Sequence, residues 1–265
     1  MKLSVKIMAH HKRADFVPHL VEQLGITEDD VIWDRHQDRW DTGRRAWEAI
    51  DPNAGWGCVI QDDALVAGDF IPGMEAALDY VPDRCLVSPY IGTRRPSSSR
   101  VERAVREAAA ADASWVEMPS LNWGVAIIAP VRIIAGMLPW CDVQPYPNYD
   151  RRIGRYAIDV LRYPTWCTWP SLVDHRDTPS LIGHGGGRVA HRFIGEDASA
   201  ADIDWSKGSV RLGAVRTSAR TLPPSGVGSG SIYGTRGYRP ARKLRVPRPG
   251  RFTNDEPPLR PEGSE

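Results

Sequence analysis

The chain holds 265 residues, 42 % of them hydrophobic, enough to bury a core of ordinary size, and its 34 lysines and arginines nearly balance 33 aspartates and glutamates. Four widely spaced cysteines, Cys58, Cys85, Cys141 and Cys167, form no CxxC pair, which argues against a zinc ribbon or a disulfide framework and suits a reducing cytoplasm. The apolar run in MKLSVKIMAHHKR is too short for a signal peptide and no later run is long enough to cross a bilayer, so neither secretion nor a membrane partner is expected.

Through about residue 130 short apolar runs alternate with helical patterns, the signature of an α/β fold whose central sheet is mostly parallel and flanked by helices. Leu3 to Met8 reads as the first strand. Asp15 can cap a helix whose Val17, Leu20, Val21 and Leu24 recur on one face, and Gly25 stops it. A second strand, Val31 to Trp33, ends in Asp34, and Thr42 to Ile50 reads as a helix with Trp47 and Ile50 inward. Cys58 to Gln61 is a buried strand that runs straight into two aspartates. Ser99 and Glu102 have the spacing of a capping box that opens a helix to Ala111, with Arg100, Arg103 and Arg106 along one side. Trp115 to Ala129 carries a further strand, and Asp150 to Leu161 a helix with Ile153, Ala157, Ile158 and Leu161 on one face.

From about Ser206 the composition turns to Gly, Ser, Pro and Arg with few large apolar residues, too little buried surface to offset the entropy of ordering. The expected organisation is a folded domain over 1–205 and a basic Pro/Gly-rich tail over 206–265, flexible or draped over the domain. No internal repeat is visible.

The sharpest chemical signal is CVIQDDA, in which the strand delivers Asp62 and Asp63 at its carboxyl end, the edge at which open α/β sheets bind ligands. Adjacent carboxylates repel unless a cation or a ligand compensates them, and a divalent ion on diphosphate oxygens would do so; the alternative is a pair that caps a turn. A second cluster, PSLVDHRDTPSLIGHGGGRVAHRF, sets Asp174, His175, Asp177 and His184 beside three glycines, Arg188 and Arg192. An imidazole can ligate a manganese-type ion, glycines let backbone approach phosphate, and Arg188 can clamp a diphosphate; a surface turn is the plainer reading. Among the aromatic residues, Trp123 in LNWG is the one expected to present its ring to an acceptor sugar or base rather than to the core.

Taken in order, the strand ending in Asp34, TGRRAW, QDDA, LNWGVAIIAP, NYDRRIGRYA and PSLVDHRD resemble GT-A (Rossmann-like) glycosyltransferases over residues 3–195, especially compact ones encoded by bacteriophages. The resemblance implies an inverting enzyme that takes a sugar from a nucleotide sugar, UDP-glucose by default, with Mn2+ or Mg2+. QDD then stands for the metal-binding DxD motif, with Asp63 on the ion and Asp62 on the donor ribose or sugar, while Gln61 replaces the usual acidic residue. His175 resembles the late histidine of the metal site, Asp34 the residue that reads the donor base, and Arg45 a basic residue facing the nucleotide. Asp150 falls where inverting members place the general base, although the same carboxylate would suit a helix N-cap.

Phage enzymes of this appearance act on 5-hydroxymethylpyrimidines of viral DNA or on virion proteins. Double-stranded DNA is the preferred acceptor, because Arg236, Arg239, Arg242, Lys243, Arg245, Arg248 and Arg251 in the tail suit a phosphate backbone, though they equally suit a solubilising tail. A scaffold that binds nucleotide or nucleic acid without turnover is the remaining reading, with Gln61 as its cause.

Overall fold

The computed structural model of the protein describes residues 2–94, 98–176 and 188–212. These belong to one compact unit, Met1–Gly226, and the second unit, Val227–Glu265, lies outside the described residues. The tail expected over 206–265 therefore falls outside them from residue 213 onward.

Strand β1 (Leu3–Ala9) alternates buried and half-buried side chains. Helix α1 (Val17–Leu24) buries Val17, Leu20 and Leu24 and ends at Gly25, whose φ of 62° is the left-handed cap that glycine adopts without strain. Asp15 does not cap it. A 3-10 turn, His11–Phe16, takes up Asp15, so that Phe16 stands at the N-cap and Pro18 in the first turn. Strand β2 (Val31–Trp33) ends at Asp34 as predicted. Helix α2 (Arg39–Glu48) starts earlier than Thr42 because the Asp38 carboxylate accepts hydrogen bonds from the Trp40 and Asp41 N–H groups.

Strand β3 (Trp56–Gln61) is followed by β4 (Ala64–Val66), α3 (Phe70–Leu78), β5 (Val87–Ser88) and α4 (Ser98–Ala110). The single strand expected over Trp115 to Ala129 is two, β6 (Trp115–Met118) and β7 (Ala126–Pro130), separated by a loop that contains Pro119 and Gly124. Then come α5 (Val131–Asp142), α6 (Tyr149–Tyr156), β8 (Thr165–Thr168), β9 (Val173–His175) and β10 (Ser209–Arg211). After Tyr156 the chain widens into a π-helical turn, Ala157–Leu161. That wider turn changes the angular spacing, and Ile158, expected inward, is exposed.

The main sheet has eight strands in the order β10-β6-β8-β5-β7-β3-β1-β2, with β4 and β9 as a separate pair. Strands β2, β1, β3, β5 and β8 share one direction; β7, β6 and β10 oppose them. This is an α/β structure with a mostly parallel, mixed sheet flanked by helices. Side-chain alternation sorts the layers: Cys58 and Ile60 of β3 join Leu20, Phe70 and Met74 of α1 and α3, whereas Val59 joins Trp47, Met137 and Ile153 of α2, α5 and α6. Helix α4 covers the far end with Val101, Ala104 and Ala108 against Val116 and Cys167. The sheet continues past residue 205, since β10 pairs in register with β6 and buries Val210. A strand of three residues, only one of them apolar, leaves no compositional mark. No helix among the described residues is long and apolar enough to cross a membrane.

Candidate active site

Strands β2, β1 and β3 lie side by side and parallel, so their carboxyl ends deliver Asp34, His10 and the Asp62–Asp63 pair to one edge. The backbone continues the ladder there: Asp34 N–H donates to the Ala9 carbonyl at 2.7 Å and Asp62 N–H to the Met8 carbonyl at 3.2 Å. Asp62 and Asp63 are only 4 % and 1 % exposed. Two adjacent carboxylates so deeply buried require a counter-charge.

Arg13 supplies it. Its Nη1 lies 3.2 Å from Asp62 Oδ1 and also forms an ion pair with Asp63 Oδ2. The His10 N–H donates to the other Asp62 oxygen at 2.7 Å, so Asp62 spends both oxygens inside the protein. Asp62 is nevertheless held above the ordinary carboxylate range, first by burial and then by the charge of Asp63, against the opposing His10 N–H and Arg13. Arg13 was not among the residues singled out from the sequence: forty-nine positions separate it from Asp62, and no local motif marks it.

His175, at the end of β9, places Nε2 3.2 Å from Asp63 Oδ2, while its Nδ1 lies 2.7 Å from the Arg176 carbonyl. A carbonyl only accepts, so Nδ1 carries the proton that this contact needs. The β4–β9 pairing, with Ala64 opposite His175, brings the two expected metal residues together. Their fit to a divalent ion is poor, however. Arg13 already stands on the carboxylate face, and among the described residues Asp63 Oδ1 is the one buried oxygen of the pair with no hydrogen-bond partner. Among the described residues no group of three His, Cys, Asp or Glu side chains is arranged to hold a metal.

Asp34 accepts the Thr42 hydroxyl at 2.8 Å on one oxygen and the Gln37 N–H at 2.8 Å on the other, with His10 Nε2 at 3.9 Å. Burial pushes its pKa up, but these hydrogen bonds and the charges of His10 and Arg45 outweigh that and hold it below the usual range. Arg45 donates to Asp41 at 3.0 Å and to the Trp33 carbonyl at 2.9 Å, bracing the end of β2. On that end the His11 ring stacks on Trp33, centroids 5.0 Å apart and 5° from parallel, a flat pair beside Asp34 that the sequence did not suggest.

Asp150 lies in the first turn of α6, but Asn148 is the N-cap. Its half-buried carboxylate accepts the Arg151 N–H at 2.8 Å. A Cβ placed on Gly124 would come within 2.9 Å of the Asp150 Cβ and of the Tyr149 ring, and 3.4 Å from Gln61 Nε2. Glycine at this position thus lets Asp150 approach the end of β3, with the Tyr149 hydroxyl donating to the Gly124 carbonyl at 2.6 Å. Burial raises the Asp150 pKa, opposed by the Arg151 N–H and the charges of Arg39 and Arg188.

Arg188 therefore lies near enough to act electrostatically on Asp150, and its carbonyl accepts the Tyr90 hydroxyl at 2.6 Å. Asp174 turns away from the edge and accepts the His175 and Ala190 N–H groups at 2.8 and 2.6 Å. Arg192 is exposed, and its carbonyl accepts the Ser171 N–H. Trp123 donates its indole N–H to the Arg94 carbonyl at 3.0 Å and meets Tyr90 edge to face, so much of its ring packs on the core. Asp177, His184 and the three glycines lie outside the described residues. Comparison with known proteins finds no family model that matches this chain and no curated protein significantly similar to it.

Proposed function

We propose that the protein is a glycosyltransferase of the GT-A type that moves a sugar from a nucleotide diphosphate donor to a hydroxyl acceptor. The observation that carries this reading is the pairing of two unlike acidic centres across Gln61 and Gly124: a buried carboxylate pair bridged by Arg13, and a single carboxyl, Asp150, whose pKa is raised. Sugar transfer needs both. A departing nucleotide diphosphate gains negative charge and requires cationic groups, for which Arg13 and Arg188 are the candidates. The acceptor hydroxyl loses a proton, and a carboxylate with a raised pKa takes it more readily.

Asp34 and the His11–Trp33 stack provide a hydrogen-bond acceptor and a flat apolar surface at the adjoining edge, the combination that a nucleoside uses. A uridine donor, UDP-glucose first, and a 5-hydroxymethylpyrimidine in double-stranded DNA complete the proposal, the acceptor resting on the arginines beyond residue 212. The test incubates the full chain with a panel of nucleotide sugars and with either hydroxymethylcytosine DNA or a virion protein extract, and follows mass increments. A hexose added to the DNA supports the reading, an increment on protein alone moves the acceptor to virion protein, and no increment with any pair refutes it.

A further inference from the structure

We propose that Arg13 is a built-in counter-cation that takes the place of a divalent ion at the Asp62–Asp63 pair, so that the site receives its diphosphate on arginine instead of on metal. This rests on the reading of the edge as a nucleotide-diphosphate site.

Three observations support it. First, the segment bearing Arg13 is fastened to the same carboxylate that it neutralises. The His10 N–H donates to Asp62 Oδ2, the Arg13 N–H returns to the His10 carbonyl at 2.8 Å, and the guanidinium then closes on Asp62 Oδ1. Arg13 breaks the helical geometry of its turn, with φ −124° and ψ 20°, so the turn is kinked at the residue that makes the contact. Such a closed circuit is pre-organised, and a metal entering it must displace a guanidinium whose return is intramolecular.

Second, only Nη1 is engaged with the two aspartates. Among the described residues Nε and Nη2 of Arg13 have no hydrogen-bond partner, and a planar fork with free donors is the group best shaped for paired phosphate oxygens. Third, among the described residues the pair retains one unpartnered acceptor, Asp63 Oδ1, on a side chain 2 % exposed. A buried acceptor left unmade costs free energy, and a sugar hydroxyl of the donor would satisfy it where a phosphate, an acceptor itself, would not. Charge and hydroxyl recognition are thus divided between Arg13 and Asp63 without any ion.

The test is Mn2+ binding by calorimetry to the full chain, wild type against Arg13→Gln and Arg13→Lys, together with UDP binding in EDTA and in Mn2+. Wild type and Arg13→Lys are expected to show no saturable Mn2+ site without nucleotide, and UDP affinity of the wild type is expected to be equal in the two buffers. Arg13→Gln, relieved of the competing charge, should acquire a saturable Mn2+ site at least about tenfold tighter than the detection limit that bounds the wild type. Tight stoichiometric Mn2+ binding by the wild type that Arg13→Gln does not improve overturns the proposal, as does UDP binding that requires Mn2+. If Arg13→Gln fails to fold, the wild-type Mn2+ titration and the buffer comparison still decide. Absence of UDP binding in both buffers refutes the nucleotide reading, while the Mn2+ titrations still judge Arg13.

Discussion

Replacing Arg13 by alanine would leave two buried carboxylates facing each other without their counter-charge. In the intact protein the side chains of Arg13, Asp62 and Asp63 are 12 %, 5 % and 2 % exposed, so solvent screens the pair little. Removing one partner of a buried pair costs about 3–5 kcal/mol, and the lower end applies here because Asp62 keeps the His10 N–H. For a folded unit of this size about 3 kcal/mol lowers the melting temperature by roughly 6–12 °C. The pH dependence identifies the cause. Asp62 already has a folded pKa above its unfolded value, through burial and Asp63, so its ionisation withdraws stability as pH rises through the folded pKa. Loss of Arg13 raises that pKa further. The penalty should therefore be largest near neutral pH and shrink as pH falls toward the ordinary carboxylate range. Thermal melts of wild type and variant across that window measure it, and Asp63→Asn added to Arg13→Ala should restore about half of the loss. A loss under about 1 kcal/mol at pH 7, the scale of an exposed pair, or one indifferent to acidification, would refute the buried-pair argument.

Asp150→Asn keeps the shape and removes the proton acceptor, so transfer should fall by roughly 10²-fold with donor affinity little changed, and product NMR should show inversion of the anomeric centre. Since the Asp150 pKa is raised, the acidic limb of the wild-type rate profile should fall at a pH above the usual carboxylate range and disappear in the variant. Gly124→Ala sets a methyl against Asp150 and Tyr149, and turnover should drop about tenfold or more while the melting temperature moves by a few degrees only. A chain ended at residue 206 loses β10 and should melt lower than one ended at residue 212; the latter should keep donor hydrolysis and lose DNA affinity most visibly at low salt, and unchanged binding across a salt series would count against DNA.

Local pattern was enough to read the strands of the β1–β3 region. Apolar runs bounded by Gly25 and by Asp34 and Asp62 mark where backbone can be buried and where it must meet water, so the sheet edge and its acids are visible in one dimension. The residues themselves showed Asp63 and His175 only as two separate clusters; the resemblance set both at one site, and the β4–β9 pairing brings them together. Arg13 was invisible for a physical reason: a guanidinium becomes a counter-charge only where folding removes water around two carboxylates forty-nine and fifty positions away, and no spacing rule encodes that. The same holds for Gly124, whose lack of a side chain matters because Asp150 arrives from helix α6, and for β10, too short to carry a pattern until β6 offers it hydrogen bonds. Pattern along the chain thus determined the strands β1 to β3 and the acids that follow β2 and β3, whereas the tertiary structure decided which charges compensate one another, because burial and distance, not order, set electrostatic energy.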